Sequence, residues 1–171
     1  MMIAVCGANE ATEEERTLAE AVGRAIATAG CALVCGGRGG VMAAACMGAK
    51  AAGGTTIGIL PGNDRSDANE WVDFAIPTGL GQARNALVVA SGDAVIAIGG
   101  GFGTLSEIGL ALKIGKLVIS AGSWELDAER LARFGGAGRY RQVATADEAV
   151  ALALTCARPD LRPLQSPAGH G

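Results

Sequence analysis

The chain has 171 residues, half of them apolar, 18% charged and 4% aromatic, with 27 glycines. That length supports one compact domain with its own core and leaves too little for two. A formal charge of −3 supplies no cationic field for a phosphate backbone, so nucleic acid as the main partner is not expected, while a small anionic ligand held by local dipoles stays open.

The first residues, Met1-Met2-Ile3-Ala4-Val5-Cys6, run straight into a strand pattern without the basic start and cleavage site of an export signal, so a cytoplasmic protein is expected. Further on, short runs of Val, Ile, Leu and Cys, apolar on both faces, alternate with amphipathic segments of helical length. This is the βαβ succession of a parallel sheet covered on both sides. Strands are expected near Ile3–Cys6, Ala32–Cys35, Thr56–Leu60, Trp71–Ala75, Ala94–Ile98, Leu117–Ser120 and Arg141–Val143. The first helix opens on the capping box Thr12-Glu13-Glu14-Glu15, carries Leu18, Val22, Ala25 and Ala29 on one face, and stops at Gly30. Later helices are expected over Val41–Ala52, Gln82–Ala90, Thr104–Ile114, Glu125–Phe134 and Ala146–Ala157, the last with a second capping signal, Thr145-Ala146-Asp147-Glu148.

The expected fold class is therefore α/β: a Rossmann-like, doubly wound, mainly parallel sheet of about seven strands with helices on both faces. Residues 1–157 form a single nucleotide-binding domain in this reading, and residues 158–171, rich in Pro and Gly, form a flexible tail. No apolar stretch approaches the roughly 20 residues that cross a bilayer, so no membrane span is expected. The five cysteines, Cys6, Cys31, Cys35, Cys46 and Cys156, contain no CxxC pair and read as small apolar fillers rather than metal or redox groups. The one histidine, His170, falls in the tail. No His-based triad or zinc site is expected in the body of the fold, and no metal site is assigned.

Two glycine-rich turns carry the functional signal. Gly36-Gly37-Arg38-Gly39-Gly40-Val41-Met42 follows the second strand and opens a helix, and Gly99-Gly100-Gly101-Phe102-Gly103-Thr104 does the same after the fifth. In a doubly wound sheet both lie at the carboxyl ends of strands, beside the crevice where strand order reverses and ligands bind. Glycine lets the backbone approach a ligand oxygen, and the free N–H groups of a helix's first turn point at it with the positive end of the helix dipole. A phosphate is the natural occupant; tight strand-to-helix turning is the alternative use of the same glycines. Neither GxxxxGK[ST] nor a GxGxxG after the first strand is present, which weakens simple ATP or NAD readings.

Glu107, three residues after Thr104, either reaches a ligand's reacting centre or closes a capping box with Thr104. Arg84, at the start of the helix after the fourth strand, faces the same crevice by topology. It either pairs there with a phosphate, a base or Glu107, or stays a solvated surface residue. The polar segment 61–73 either overhangs the crevice and selects a base or is a solvated connection, and Gly135-Gly136-Ala137-Gly138 is a flexible joint.

Gly99-Gly100-Gly101-Phe102-Gly103-Thr104-Leu105-Ser106-Glu107 resembles the PGGxGTxxE signature of the Lonely-guy family, formerly labelled lysine decarboxylase-like, and Arg84 stands at the arginine of that family's upstream motif. The Gly36–Met42 turn is similar to the family's GGG-x-x-GLM turn, so the likeness spans essentially residues 1–157. The resemblance implies a Rossmann-like homodimer or higher homo-oligomer that hydrolyses nucleoside 5′-monophosphates to free base and ribose 5-phosphate without a cofactor. It further implies that Gly36, Gly37, Gly39, Gly40, Gly100, Gly101, Gly103 and Thr104 bind phosphate or nucleotide, with Arg84 and Glu107 as the catalytic pair.

Three departures stand out: Gly99 for the family proline, Asn85 for the lysine after the arginine, and Ser106 where many active members carry a second acidic residue. The triple-glycine form is similar to a sub-branch containing molybdenum cofactor carrier proteins, which implies molybdopterin, itself phosphorylated, as an alternative ligand. Only Lys50, Lys113 and Lys116 are present, all expected far from the crevice, so a pyridoxal-phosphate lysine decarboxylase is not expected.

Overall fold

A computed structural model describes residues 1–156; the expected tail 158–171, with His170, lies outside the described residues. In chain order the elements are β1 (Met2–Gly7), α1 (Glu13–Thr28), β2 (Ala32–Cys35), α2 (Val41–Ala51), β3 (Thr56–Leu60) and β4 (Phe74–Pro77), then α3 (Asn85–Ser91), β5 (Ala94–Ile98), α4 (Phe102–Lys113), β6 (Leu117–Ala121), α5 (Ala128–Arg133), β7 (Tyr140–Val143) and α6 (Ala146–Leu154). Short 3₁₀ turns cover Arg65–Asp67 and Gly81–Arg84. The seven strands form one sheet in the order β4-β3-β2-β1-β5-β6-β7, and every pairing is parallel. This is the doubly wound α/β fold that the alternating pattern implies. No helix among the described residues is long and apolar enough to cross a membrane.

The order reverses at β1, and right-handed crossovers on either side of it send helices to opposite faces. Alternating side chains of β1 record this. Ile3 and Val5 join a core with α1, α2 and α6, whereas Ala4 and Cys6 join a second core with α3 and α4. All five residues of β5 are buried, as a strand covered on both faces requires.

Both expected capping boxes form: the Thr12 hydroxyl accepts from the Glu15 N–H, and Thr145 does the same for Glu148. The buried face of α1 is Ala19, Val22, Gly23 and Ile26, with Leu18 and Ala25 partly covered and Ala29 exposed. This stripe is rotated from the expected one because Gly23 and Gly48 let α1 and α2 touch backbone to backbone. A Cβ on Gly23 would stand 1.9 Å from the Ala45 carbonyl oxygen, and one on Gly48 1.9 Å from that of Glu20.

Several boundaries differ from the sequence expectation. The fourth strand starts at Phe74 rather than Trp71, because the Thr56 hydroxyl and N–H take the Trp71 carbonyl and the Asp73 carboxylate before ladder pairing begins. The segment expected as one helix over 82–90 is a 3₁₀ turn followed by α3, which places Arg84 at their junction. Asp127 caps the fifth helix, its carboxylate accepting from the Arg130 N–H at 2.8 Å, so α5 starts at Ala128 instead of Glu125. Finally, α4 begins at Phe102, two residues before Thr104, and α6 ends at Leu154.

Candidate functional site

At the point of reversal, beyond the paired carboxyl ends of β1 and β5, lies a cleft of about 260 Å3. Cys6, Gly7, Ala8 and Asn9 come to it from the end of β1, Gly36 and Arg38 from the turn after β2, and Gln82, Arg84 and Asn85 from the start of α3. Gly101, Gly103, Thr104 and Glu107 complete it from α4.

The two glycine turns are built for different tasks. In the first, the Gly37 N–H donates to Cys35 Sγ at 3.3 Å, Gly39 N–H to Asn9 Oδ1 at 3.0 Å, and Val41 N–H to the Ala8 carbonyl at 3.0 Å. The amino end of α2 is thus largely engaged by the protein's own β1–α1 connection. Gly40 sits at φ +58°, and a Cβ there would lie 2.3 Å from the Ala8 oxygen. Gly37, Gly39 and Gly40 hold the turn in place outside the cleft lining, and Gly36 with Arg38 reaches it.

In the second turn Gly99 (φ +50°) and Gly100 (φ +90°) swing the chain from β5 into α4; a Cβ on Gly100 would collide with Thr104 Oγ1 at 2.1 Å. Gly100 shapes the turn without lining the cleft. Trp124 Nε1 donates to the Gly101 carbonyl at 3.2 Å, and the Ser123 hydroxyl donates to that of Gly99. Around Gly101 and Gly103 there is open space where a side chain would stand. No side chain caps α4, and among the described residues no acceptor meets the N–H groups of Phe102, Gly103 and Thr104. Three amides at the positive end of a 12-residue helix are therefore unused, and two of the residues that carry them, Gly103 and Thr104, line the cleft.

Glu107 does not close a capping box. With Gly101 as N-cap it lies a turn too far along α4, and its side chain turns inward to Arg84, with Oε1 3.8 Å from Nη1. Both residues are buried, Glu107 6% and Arg84 7% exposed. Burial pushes the Glu107 carboxyl up to about 7, against the opposing pull of the Arg84 charge and the Cys6 thiol. The Arg84 guanidinium rests on Gly36, where a Cβ would come within 2.5 Å of both Nη atoms, and its buried Nε has no partner among the described residues. Arg84 is accordingly no solvated surface residue.

Segment 61–73 does not line the cleft. It braces the first glycine turn through Asn69, whose N–H donates to the Gly37 carbonyl at 2.8 Å and whose side-chain amide donates to that of Arg38 at 2.9 Å. The three lysines lie at the opposite end of the sheet. Lys50 pairs with Asp73 ahead of β4, Lys113 ends α4, and Lys116 binds the Ala90 carbonyl at 3.1 Å. Cleft residues given no ligand role from sequence include Cys6, Asn9, Arg38, Met42, Gln82 and Asn85. Their signal was positional, since each sits within a few residues of a strand's carboxyl end or of a turn already identified.

A doubly wound parallel sheet with a polar cleft at its switch point, opened by a triple-glycine turn and a buried Arg–Glu pair, defines a Rossmann-like protein of the Lonely-guy kind. The chain belongs to the SLOG cluster4 family, whose model matches residues 1–151. It is similar to the molybdenum cofactor binding protein of Rippkaea orientalis, with 40% identity and a TM-score of 0.82 over 90% of this chain and 95% of that one. The molybdenum cofactor carrier protein of Chlamydomonas reinhardtii is 38% identical with a TM-score of 0.76, over 91% of this chain and 96% of the other. An uncharacterized protein of Archaeoglobus fulgidus is 48% identical over 120 residues, 70% of this chain and 79% of its own length.

Proposed function

We propose that the protein binds and carries molybdenum cofactor, with the phosphate of the molybdopterin on the free amides of Phe102, Gly103 and Thr104 and the rest of the ligand against Arg84. The observation that carries this reading is the donor excess of the cleft. The lining contributes the backbone of Gly103 and Thr104, two arginines, and the side-chain amides of Asn9, Gln82 and Asn85, against a single carboxyl, Glu107, which burial pushes up to about 7. Such a surface suits a ligand rich in acceptor atoms and an anionic tail. The resemblance to binding and carrier proteins over nearly the whole chain supports the same choice. Metal chemistry stays with the cargo; the chain's part is to orient it and shield it from water.

A second reading, nucleoside 5′-monophosphate hydrolysis, is favoured by the Arg84–Glu107 contact. An ionised carboxylate beside the glycosidic carbon stabilises the positive charge that develops on the ribose, and an anchored phosphate fixes the sugar against it. Ser106 is exposed and donates to the Gly103 carbonyl at 2.7 Å, so it supplies no second carboxylate to that chemistry. We further propose a cytoplasmic homo-oligomer, consistent with the exposed apolar side chains of Phe74, Ile76, Leu80 and Leu87.

One experiment separates the two readings. The purified protein is incubated with a panel of nucleoside monophosphates, with free base followed by chromatography, and the as-isolated protein is weighed by native mass spectrometry. Retained pterin without base release supports the carrier. Base release that vanishes in Arg84→Ala and Glu107→Gln supports the hydrolase and removes the carrier reading.

A further inference from the structure

Beneath the first glycine turn, the end of β2 and the middle of α2 bring two thiols together. Cys35 Sγ and Cys46 Sγ lie 3.6 Å apart, both fully buried, the one sulfur–sulfur contact among the described residues. A disulfide spans about 2.05 Å, so an approach of about 1.5 Å, shared between two side chains, turns this contact into a bond. Cys35 is also tied to the site above it. Its sulfur accepts the Gly37 N–H at 3.3 Å, and the residue between them, Gly36, lines the cleft and seats the Arg84 guanidinium.

We propose that Cys35 and Cys46 form a peroxide-oxidisable dithiol whose closure remodels the Gly36–Gly40 turn. Both cysteines are buried in the apolar core as the sequence implies; their contact, between a strand and a helix 11 residues on, has no local signature. In the first step the Cys35 sulfur attacks one oxygen of hydrogen peroxide, the O–O bond breaks, and water leaves, giving a sulfenic acid. Cys46 then attacks that sulfur and expels a second water. Two thiols lose two electrons and two protons, and the peroxide takes them up as two molecules of water.

The surroundings set the order of events. Cys35 Sγ accepts the Gly37 N–H at 3.3 Å and lies near the Arg84 charge, both of which favour its thiolate, while the two thiols share a hydrogen bond that either can donate. Cys46 is buried beside it, which pushes its thiol up. Cys35 is thus the attacking sulfur and Cys46 the resolving one. Closure draws Cys35 Sγ toward α2 and away from the Gly37 N–H, which releases a tie of the turn on which Arg84 rests. None of this depends on which ligand the cleft takes.

The test uses the full-length reduced protein, treated with hydrogen peroxide and then alkylated in denaturant. Of five cysteines, three should remain alkylatable, with a mass loss of two hydrogens, a linked peptide pair containing Cys35 and Cys46, and full reversal by dithiothreitol. In Cys46→Ala, dimedone should trap a sulfenic acid at Cys35. Amide hydrogen exchange across residues 36–41 should quicken in the oxidised wild-type protein. Five alkylatable thiols after peroxide, or a bridge that joins any other pair, overturns the proposal. Unchanged exchange over 36–41 in a bridged protein overturns the remodelling. Should Cys46→Ala fail to fold, the wild-type peptide map decides alone.

Discussion

Replacing Glu107 with glutamine tests whether burial or the Arg84 charge governs the cleft's carboxyl. Burial raises its pKa from the ordinary 4.5 to about 7, with Arg84 3.8 Å away pulling it down. Between those values the folded protein holds a proton that the unfolded chain has released. Stability therefore falls as pH rises through that window. Below about pH 4.5 both states are protonated and the penalty is absent; above pH 7 it is complete. At 1.36 kcal/mol per pH unit it amounts to about 3 kcal/mol. Glutamine cannot ionise, so the variant escapes the fall, while packing differences add an offset that does not change with pH. Urea unfolding of both proteins from pH 4.5 to 8, followed by circular dichroism and extrapolated linearly, should give a variant-minus-wild-type difference that climbs by about 3 kcal/mol up to pH 7 and then levels. A flat or falling difference refutes the reasoning. It would mean that the ion pair with Arg84 outweighs desolvation and that Glu107 is a carboxylate throughout, the state that glycosidic cleavage requires.

The sequence carries the fold because strands buried on both faces and helices with explicit caps leave few alternatives. The apolar runs at Thr56–Leu60 and Ala94–Ile98 match β3 and β5 residue for residue, and Thr12 and Thr145 mark their helices correctly. Legibility fails where a side chain from elsewhere decides a boundary. Thr56 withdraws Trp71 from β4 by a hydrogen bond over 15 residues, a contact with no local signature. The same holds at the site. Proximity of Arg84 and Glu107 follows from topology once both are placed at strand carboxyl ends, but the shift of Glu107 depends on how completely α3 and α4 close over it. The two glycine turns look alike in sequence and differ in space. The first is spent on Ala8 and Asn9, which belong to the loop after β1, whereas no side chain among the described residues caps the second.

That contrast and the Arg84 seat support the remaining predictions. Gly36→Ala places a Cβ 2.5 Å from both Arg84 Nη atoms; the flexible guanidinium should leave, the fold should survive, and the upper edge of the Glu107 pH window should move above 7 in the same urea series. Thr12→Ala removes the hydroxyl of a capping box and should cost about 1 kcal/mol in urea unfolding. Gly40→Ala combines φ +58° with a backbone contact of 2.3 Å and should destabilise the protein by about 3 kcal/mol. Gly103→Ala, by contrast, points its methyl group into open space beside the unused amides of Phe102 and Gly103. Inside a helix alanine is worth roughly 0.5–1 kcal/mol over glycine, so this variant should unfold no earlier than wild type in urea. On the carrier reading proposed above, the methyl would obstruct a phosphate approaching those amides, so the same variant should retain less pterin than wild type in native mass spectrometry; undiminished retention would locate the anionic group away from the start of α4.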